Sequence, residues 1–250
     1  MIHVCIPARN EGATLGPLLW KLRTVLLESG RDFRILVLDD ASTDRTPEVL
    51  ESYADLLPLH VVRTEEPLGH GAATERILRE ADRLTDYPKR DIAVVLRADF
   101  TESPEDLVDM VKAIEGGADV VGGTLDTSGG PPLPRRERFG RWAAPLLLGA
   151  GWRGAPVSDP LSSYRAYRIV VLRKAFRASE DALLPPGRNG WAANLELLSR
   201  TVGHARRVEE SPYRTRRAHL EDPAPFPALG TLRALVPLRR VQWPAGQEAS

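Results

Sequence analysis

Short apolar runs and longer amphipathic stretches alternate through the first half of the chain. The runs at residues 2–6 (IHVCI), 34–40 (RILVLDD), 59–63 (LHVVR), 91–97 (DIAVVLR) and 118–123 (ADVVGG) are brief and rich in Val, Ile and Leu. That is the pattern of strands buried on both faces. Over residues 14–28, Leu15, Leu18, Leu19, Leu22, Val25 and Leu26 recur at helical spacing and form one apolar stripe. Pro47 suits the first turn of a second helix within residues 45–56, Gly69-His70-Gly71 opens a third, and Ser103-Pro104 starts a fourth that stops at Gly116-Gly117. Five strands alternating with four helices predict an α/β fold, a mostly parallel sheet with helices on both faces. In such a sheet the ligand crevice lies at the carboxyl ends of the strands. The polar clusters fall there: residues 7–11 after the first strand, 39–44 after the second and 97–99 after the fourth.

Composition adds bounds to this picture. With 250 residues, 42% hydrophobic and 27% charged, the chain can bury one substantial core. Its longest apolar stretches, such as Ala143 to Ala150, are too short to span a bilayer, and no basic flank followed by a long apolar region opens the chain. A soluble cytoplasmic protein is therefore expected. Cys5 is the single cysteine, which excludes an intramolecular disulfide and reads as a buried structural thiol. Net charge is zero but segregated: residues 1–134 hold 14 Lys and Arg against 24 Asp and Glu, whereas residues 135–217 hold 17 against 7. The basic second half fits an anionic ligand, or simply arginine-rich solvated faces, since 30 of the 34 basic residues are Arg. No nucleic-acid partner is expected, because neither a global positive excess nor a basic run with interleaved aromatics is present.

Taken singly, the polar clusters have plain explanations. Asn10-Glu11-Gly12 fits a turn, and Asp44 or Thr46 fits a helix cap. Together they bring acidic groups from successive strand ends to one crevice, where they repel one another unless a cation or a hydrogen-bonding ligand sits among them.

The blocks IPARNEGATLGPLL, ILVLDDASTDRTPEV, PLGHGAATERIL, RADFTESPEDLVDMVKAIEGGADVVGG and DPLSSYRAYR stand in the order and spacing of the inverting family 2 glycosyltransferases of GT-A fold. The last block most resembles dolichol-phosphate mannose synthase and its polyprenyl-phosphate relatives. The resemblance implies a Rossmann-like GT-A domain over residues 1–220 with a smaller acceptor-side subregion. Residues 1–125 would form the nucleotide-sugar-binding half and residues 135–217 the basic acceptor-side half, followed by a Pro-rich tail over residues 221–250. It implies that Pro7, Ala8, Glu11 and Asp40 contact the base and ribose of a nucleotide-sugar donor, and that Asp39 shapes the turn beside them. His70, at a Gly-rich helix start, would neighbour the diphosphate.

The family carries Asp-x-Asp after the fourth strand, where two acids hold a divalent Mg or Mn ion against the donor diphosphate. Here the segment is Arg97-Ala98-Asp99. A guanidinium repels a divalent ion and pairs with oxyanions. Three arrangements follow. Arg97 takes over as a fixed cation and transfer becomes metal-independent; or Asp99 and another group still hold a metal while Arg97 turns into a salt bridge; or the chain is a non-catalytic nucleotide-binding relative. A fourth reading is another reaction of an activated sugar in the same crevice.

On the acceptor side the resemblance implies phosphate contacts from Arg135, Arg136, Arg138 and Arg141. In the Asp-Pro-x-Ser-Gly-Phe-Arg pattern it places Asp159 near sugar and acceptor, Ser162 in the loop, and Arg165 against a carboxylate or phosphate. Ser163 stands where the family has Gly. Glu196 matches an acidic residue of the family, and Asn194 stands where relatives often have a second acid. For a hydroxyl acceptor, Glu196 or Asp159 would be the general base; a lipid phosphate, already anionic, needs little base. Arg214, Arg216 and Arg217 would contact phosphate, and His219 would be a carboxyl-terminal metal ligand. The acceptor is a polyprenyl phosphate or a soluble small molecule. Five prolines in residues 222–250 predict a loosely packed tail whose short amphipathic stretch, ALGTLRALVPLRR, could touch a membrane surface or a partner.

Overall fold

The computed structural model describes residues 1–126, 133–179, 182–185, 188, 190–215 and 228–243. The five apolar runs form β1 (Ile2–Ala8), β2 (Phe33–Asp39), β3 (Leu59–Arg63), β4 (Ile92–Val95) and β5 (Val120–Leu125). Between them lie α1 (Leu15–Glu28), α2 (Thr46–Tyr53), α3 (His70–Leu84) and α4 (Leu107–Glu115), the last preceded by a 3-10 turn at Pro104–Asp106. The chain continues through α5 (Arg135–Leu148), α6 (Ala150–Arg153), β6 (Arg165–Arg168), α7 (Ile169–Ala178), α8 (Gly190–Val202), β7 (Val208–Tyr213) and α9 (Ala228–Leu235), and a 3-10 turn at Val236–Arg240 follows.

The seven strands form one sheet in the order β3-β2-β1-β4-β6-β5-β7. β6 runs antiparallel to both β4 and β5, and every other pairing is parallel. Inserting β6 leaves a mostly parallel GT-A-like sheet. It also places a strand of the basic half between β4 and β5, two strands of the acidic half. β4 is shorter than its apolar run, because the N–H of Arg97 bonds to the Glu102 carboxylate instead of a neighbouring strand.

Alternation decides which helices cover which face. Val4 and Ile6 with Ile35, Val37 and Val94 face α1, α2 and α4. Cys5, Leu36, Leu38, Ala93 and Val95 face α3, α7 and α8. Helix α8 is buried on two sides. Ala193, Leu197 and Leu198 meet the sheet layer, while Trp191, Ala192 and Leu195 meet α5 and the carboxyl-terminal segment. The expectation of a loose tail fails over residues 228–243: Leu235 and Leu238 are buried against that outer side, and the Trp243 indole N–H donates to the Gly151 carbonyl at 2.6 Å. The apolar side of α8 needs cover, and Pro237 is tolerated early in the 3-10 turn, where no donor is required.

Helix α5 is inverted in polarity. Glu137 is buried and Arg141 is turned inward, whereas Phe139, Trp142 and Leu146 are 50%, 65% and 70% exposed. Spacings of three and four residues put those three on one outer face, and the Phe139 and Trp142 rings lie 5.8 Å apart.

Near the amino end of the interior strand β1, His3 is wholly buried and neither ring nitrogen has a hydrogen-bond partner among the described residues. Burial pushes its pKa down to about 4; nearby Asp91 works against this shift, and Arg34 and the chain's amino terminus add to it. The fold therefore favours neutral His3, and as pH falls below the unfolded value near 6.5 the unfolded chain gains its proton first. Stability is lost across the window from about 6.5 to 4. At pH 5 this one group should cost roughly 2 kcal/mol relative to pH 8, and urea titrations of the His3→Val variant should show a correspondingly smaller loss over the same range.

Candidate active site at the carboxyl edge

Three non-glycine residues with positive φ mark the site: Asn10 at 56°, Ala41 at 53° and Phe100 at 55°, each just beyond the end of β1, β2 or β4. Such conformations are uncommon outside glycine and persist where the surroundings enforce them. The enforcement is visible. Asn10 N–H donates to Ser42 Oγ at 2.9 Å, and Asn10 Oδ1 accepts from Thr43 N–H at 2.8 Å. Gly12 N–H donates to Asp44 Oδ2 at 2.9 Å and Glu11 N–H to Thr46 Oγ1 at 2.8 Å. Asp44 and Thr46, which read as caps for α2, thus also stitch the first loop to the second.

Asp39 Oδ1 accepts from the Ser42 N–H at 3.1 Å and so shapes the turn. Asp40, expected at the ribose, is also engaged within the protein. It is buried, its Oδ1 accepts from the Leu68 N–H (2.7 Å) and Thr64 Oγ1 (3.3 Å), and its Oδ2 accepts from the Gly69 N–H (2.9 Å). Its negative charge orders the start of α3. Ala8 is buried and Pro7 half-buried beside this turn. Glu11 remains half-exposed with Thr14 Oγ1 donating to it at 2.8 Å; burial pushes its carboxyl up, and the charge of Asp99 adds to the shift.

At the end of β4 the Arg97 side chain folds over its own loop. Its backbone N–H donates to Glu102 Oε2 at 2.8 Å and its Nε–H to Oε1 at 3.2 Å. Nη2 donates to Thr101 Oγ1, and Nη1 lies 3.3 Å from Asp99 Oδ2. Asp99 Oδ1 accepts from Thr101 N–H at 3.0 Å and from its hydroxyl at 2.6 Å. The neighbouring Ala98 is buried. A divalent Mg or Mn ion does not fit this donor set: the retained acid is covered by a guanidinium, and no group of three His, Cys, Asp or Glu suited to a metal exists among the described residues. Arg97 does form a salt bridge, but its partners are Asp99 itself and Glu102, so the pairing does not free Asp99 for a metal.

His70 begins α3, with Nε2 3.1 Å from Asn194 Oδ1; burial pushes its pKa down, so the neutral ring is favoured. Asn194 Nδ2–H donates to the Leu161 carbonyl at 2.9 Å, so this amide ties the helix start to the loop before β6. Arg165 is buried and has no carboxylate partner among the described residues; its guanidinium donates at 2.5 Å to the carbonyls of Asn194 and Pro160. The Ser162 hydroxyl is buried without a hydrogen-bond partner. Asp159 faces Arg141, whose Nη1 donates to its Oδ2 at 2.6 Å, while Arg141 Nε–H donates to Glu137 at 3.3 Å. Glu196 is engaged by Arg188 at 2.7 Å and Arg200 at 3.6 Å, so neither proposed general base is an unpaired carboxylate. Arg135, Arg136 and Arg138 are exposed, unlike the half-buried Arg141. Arg214 donates its N–H to Asp106 at 2.8 Å, its guanidinium 3.9 Å from Asp126. Arg216, Arg217 and His219 lie outside the described residues.

Glu102, Glu137 and Arg188 were not singled out from the sequence. Glu102 had one signal, an unexpected cation five residues before it.

The model of a family described as "Glycosyl transferase family 2" matches residues 3–176. The chain belongs to that family. It is 29% identical over 219 residues to an undecaprenyl-phosphate 4-deoxy-4-formamido-L-arabinose transferase of Pseudomonas paraeruginosa, covering 85% of this chain and 60% of that relative's length. It is 34% identical to a dolichyl-phosphate hexose transferase of Haloferax volcanii, covering 76% of this chain and 78% of the relative. Among solved structures, glucosyl-3-phosphoglycerate synthase from Mycobacterium tuberculosis, in complex with Mn2+, UDP-glucose and phosphoglyceric acid, superposes with a TM-score of 0.64 at 23% identity, covering 98% of this chain and 81% of that one. This likeness shows the GT-A fold. No helix among the described residues is long and apolar enough to cross a membrane.

Within this family 2 domain, Gly71 lies where the two halves approach backbone to backbone. Its N–H donates to the Arg188 carbonyl at 3.2 Å, and a Cβ there would stand 2.2 Å from that oxygen. Gly71→Ala should therefore destabilise the fold by roughly 1–3 kcal/mol, read as a lower urea midpoint, whereas Gly30→Ala, whose Cβ would meet nothing within 4 Å, tests the separate cost of positive φ.

Proposed function

We propose that this chain transfers a sugar, with inversion, from a nucleoside-diphosphate sugar to a polyprenyl phosphate. One observation carries the reading: two guanidinium groups are each held by a carboxylate, Arg97 by Asp99 in the loop after β4 at 3.3 Å and Arg141 by Asp159 in the loop before β6 at 2.6 Å. Transfer between two phosphates calls for a cation on each side of the anomeric carbon. Arg97 suits the leaving diphosphate and Arg141 the entering phosphate. An oxygen of the acceptor phosphate attacks the anomeric carbon, the bond from that carbon to the donor diphosphate breaks, and its electron pair leaves with the nucleoside diphosphate. Cations fixed in advance lower the barrier by stabilising the charge that develops there.

The commitments of Asp159 and Glu196 to arginines agree with this acceptor, because an anionic phosphate needs no strong base. Two relatives named for undecaprenyl and dolichyl phosphate substrates support a lipid-linked acceptor. So does α5, whose outer face sets Phe139, Trp142 and Leu146 beside exposed Arg135 and Arg138, a composition suited to an anionic membrane surface. This reading keeps the protein in the cytoplasm, in peripheral contact with a membrane, and makes transfer independent of a divalent metal. A small phosphorylated acceptor is the second reading, favoured by the neighbour solved with phosphoglyceric acid.

The test combines donor binding with turnover. UDP-, GDP-, ADP- or dTDP-sugars in EDTA should raise the melting temperature for one nucleotide class, and vesicles containing polyprenyl phosphate should then release the nucleoside diphosphate. Arg141→Gln and Asp159→Asn should each cut that release on the order of 100-fold, measured well below the lowered melting temperature that loss of a buried ion pair brings. A protein that binds no donor, or binds one and releases nothing with either lipid or small phosphorylated acceptors, is a non-catalytic relative or catalyses another reaction.

A further inference from the structure

Two positions depart from the family pattern, Arg97 for the first acid and Ser163 for the glycine, and they lie 66 residues apart in the chain. In the fold they meet on one carboxylate. Glu102 Oε1 accepts from Arg97 Nε–H at 3.2 Å and from the Ser163 hydroxyl at 2.8 Å, while Oε2 accepts from the Arg97 N–H at 2.8 Å. Glu102 is 1% exposed, and Phe100 holds a positive φ in the tight turn that returns the chain to it. Burial pushes the Glu102 carboxyl up, and the Arg97 guanidinium together with the hydrogen bonds from Arg97 N–H and Ser163 opposes that shift. Glycine at 163 would remove one of those bonds.

We infer that Arg97, Glu102 and Ser163 form one unit, a built-in cation site in which Glu102 supplies the negative charge missing at position 97 and Arg97 fills the place of a divalent ion beside Asp99. Glu102 is a positioning residue: it touches no substrate and aims the guanidinium, leaving two N–H groups of Arg97 beyond those engaged by Glu102, Asp99 and Thr101 to meet an oxyanion. The inference rests on the reading of this crevice as a donor site. It predicts that taking the guanidinium away exposes a carboxylate pair, Asp99 and Glu102, able to hold a metal.

Mn2+ titrated into the full chain and followed by its electron paramagnetic resonance signal is the test. Wild type should leave the ion free, Arg97→Ala should bind it at least tenfold more tightly, and Arg97→Ala with Glu102→Gln should lose that gain. Arg97→Gln, which keeps a hydrogen-bond donor to Glu102, serves if the alanine variant does not fold, with the same expected gain. Ser163→Gly should bind no Mn2+ while Arg97 is present, yet should weaken donor binding in EDTA severalfold. Glu102→Gln should weaken it at least tenfold without a matching fall in melting temperature. Wild type binding Mn2+ as tightly as Arg97→Ala, or a gain that survives loss of Glu102, would overturn the inference. The expected Mn2+ results with no donor bound by any variant would instead leave the cation site standing and remove the transferase reading.

Discussion

A buried guanidinium with no carboxylate partner among the described residues ties the basic half of this domain together. Arg165 sits on β6, the one strand running against the rest of the sheet, and binds the carbonyls of Pro160 and Asn194. Those two contacts fix the loop bearing Asp159 against α8, and α8 in turn fixes His70 and the start of α3. Hydrogen bonds to a charged group are typically worth about 1.5–3 kcal/mol each, which helps to offset the cost of burying the cation. The loop before β6 and the start of α8 are held together by this clamp.

Around it the carboxyl edge obeys a simple electrostatic rule: each buried acid has a partner in the protein. Asp40 is held by backbone N–H groups, Glu102 by Arg97, Asp159 by Arg141 and Glu196 by Arg188. The segregation of charge between the halves thus serves two ends. Several arginines of the basic half neutralise acids within it, and Arg135, Arg136 and Arg138 remain on the surface. A reading in which all of them gather on a ligand overcounts the cations available to it.

The fold was legible because buried parallel strands advertise themselves as apolar runs and their helices as stripes. All five runs and all four helices of the first half are present. β6 was not legible, since RAYR is four residues with two charges and becomes a strand only through pairing on both edges. α5 was read as a basic helix with phosphate-binding arginines, yet only Arg141 turns inward, because side-chain direction is set by which face meets Asp159. The loops of the site were visible as polar clusters at strand ends. Their internal bonds were not, because partners such as Asp44 and Gly12, or Glu102 and Ser163, are chosen by tertiary approach.

The pairing of Arg97 with Asp99 also changes what governs occupancy of that place. A bound ion is present in proportion to its free concentration and its dissociation constant. A side chain two residues away is held at an effective concentration set by its tether, whatever the surrounding solution contains. Chelators, competing ions and a depleted metal pool do not act on it. On the proposed reading such a protein is not switched by metal supply and keeps its positive charge under every ionic condition in which it stays folded.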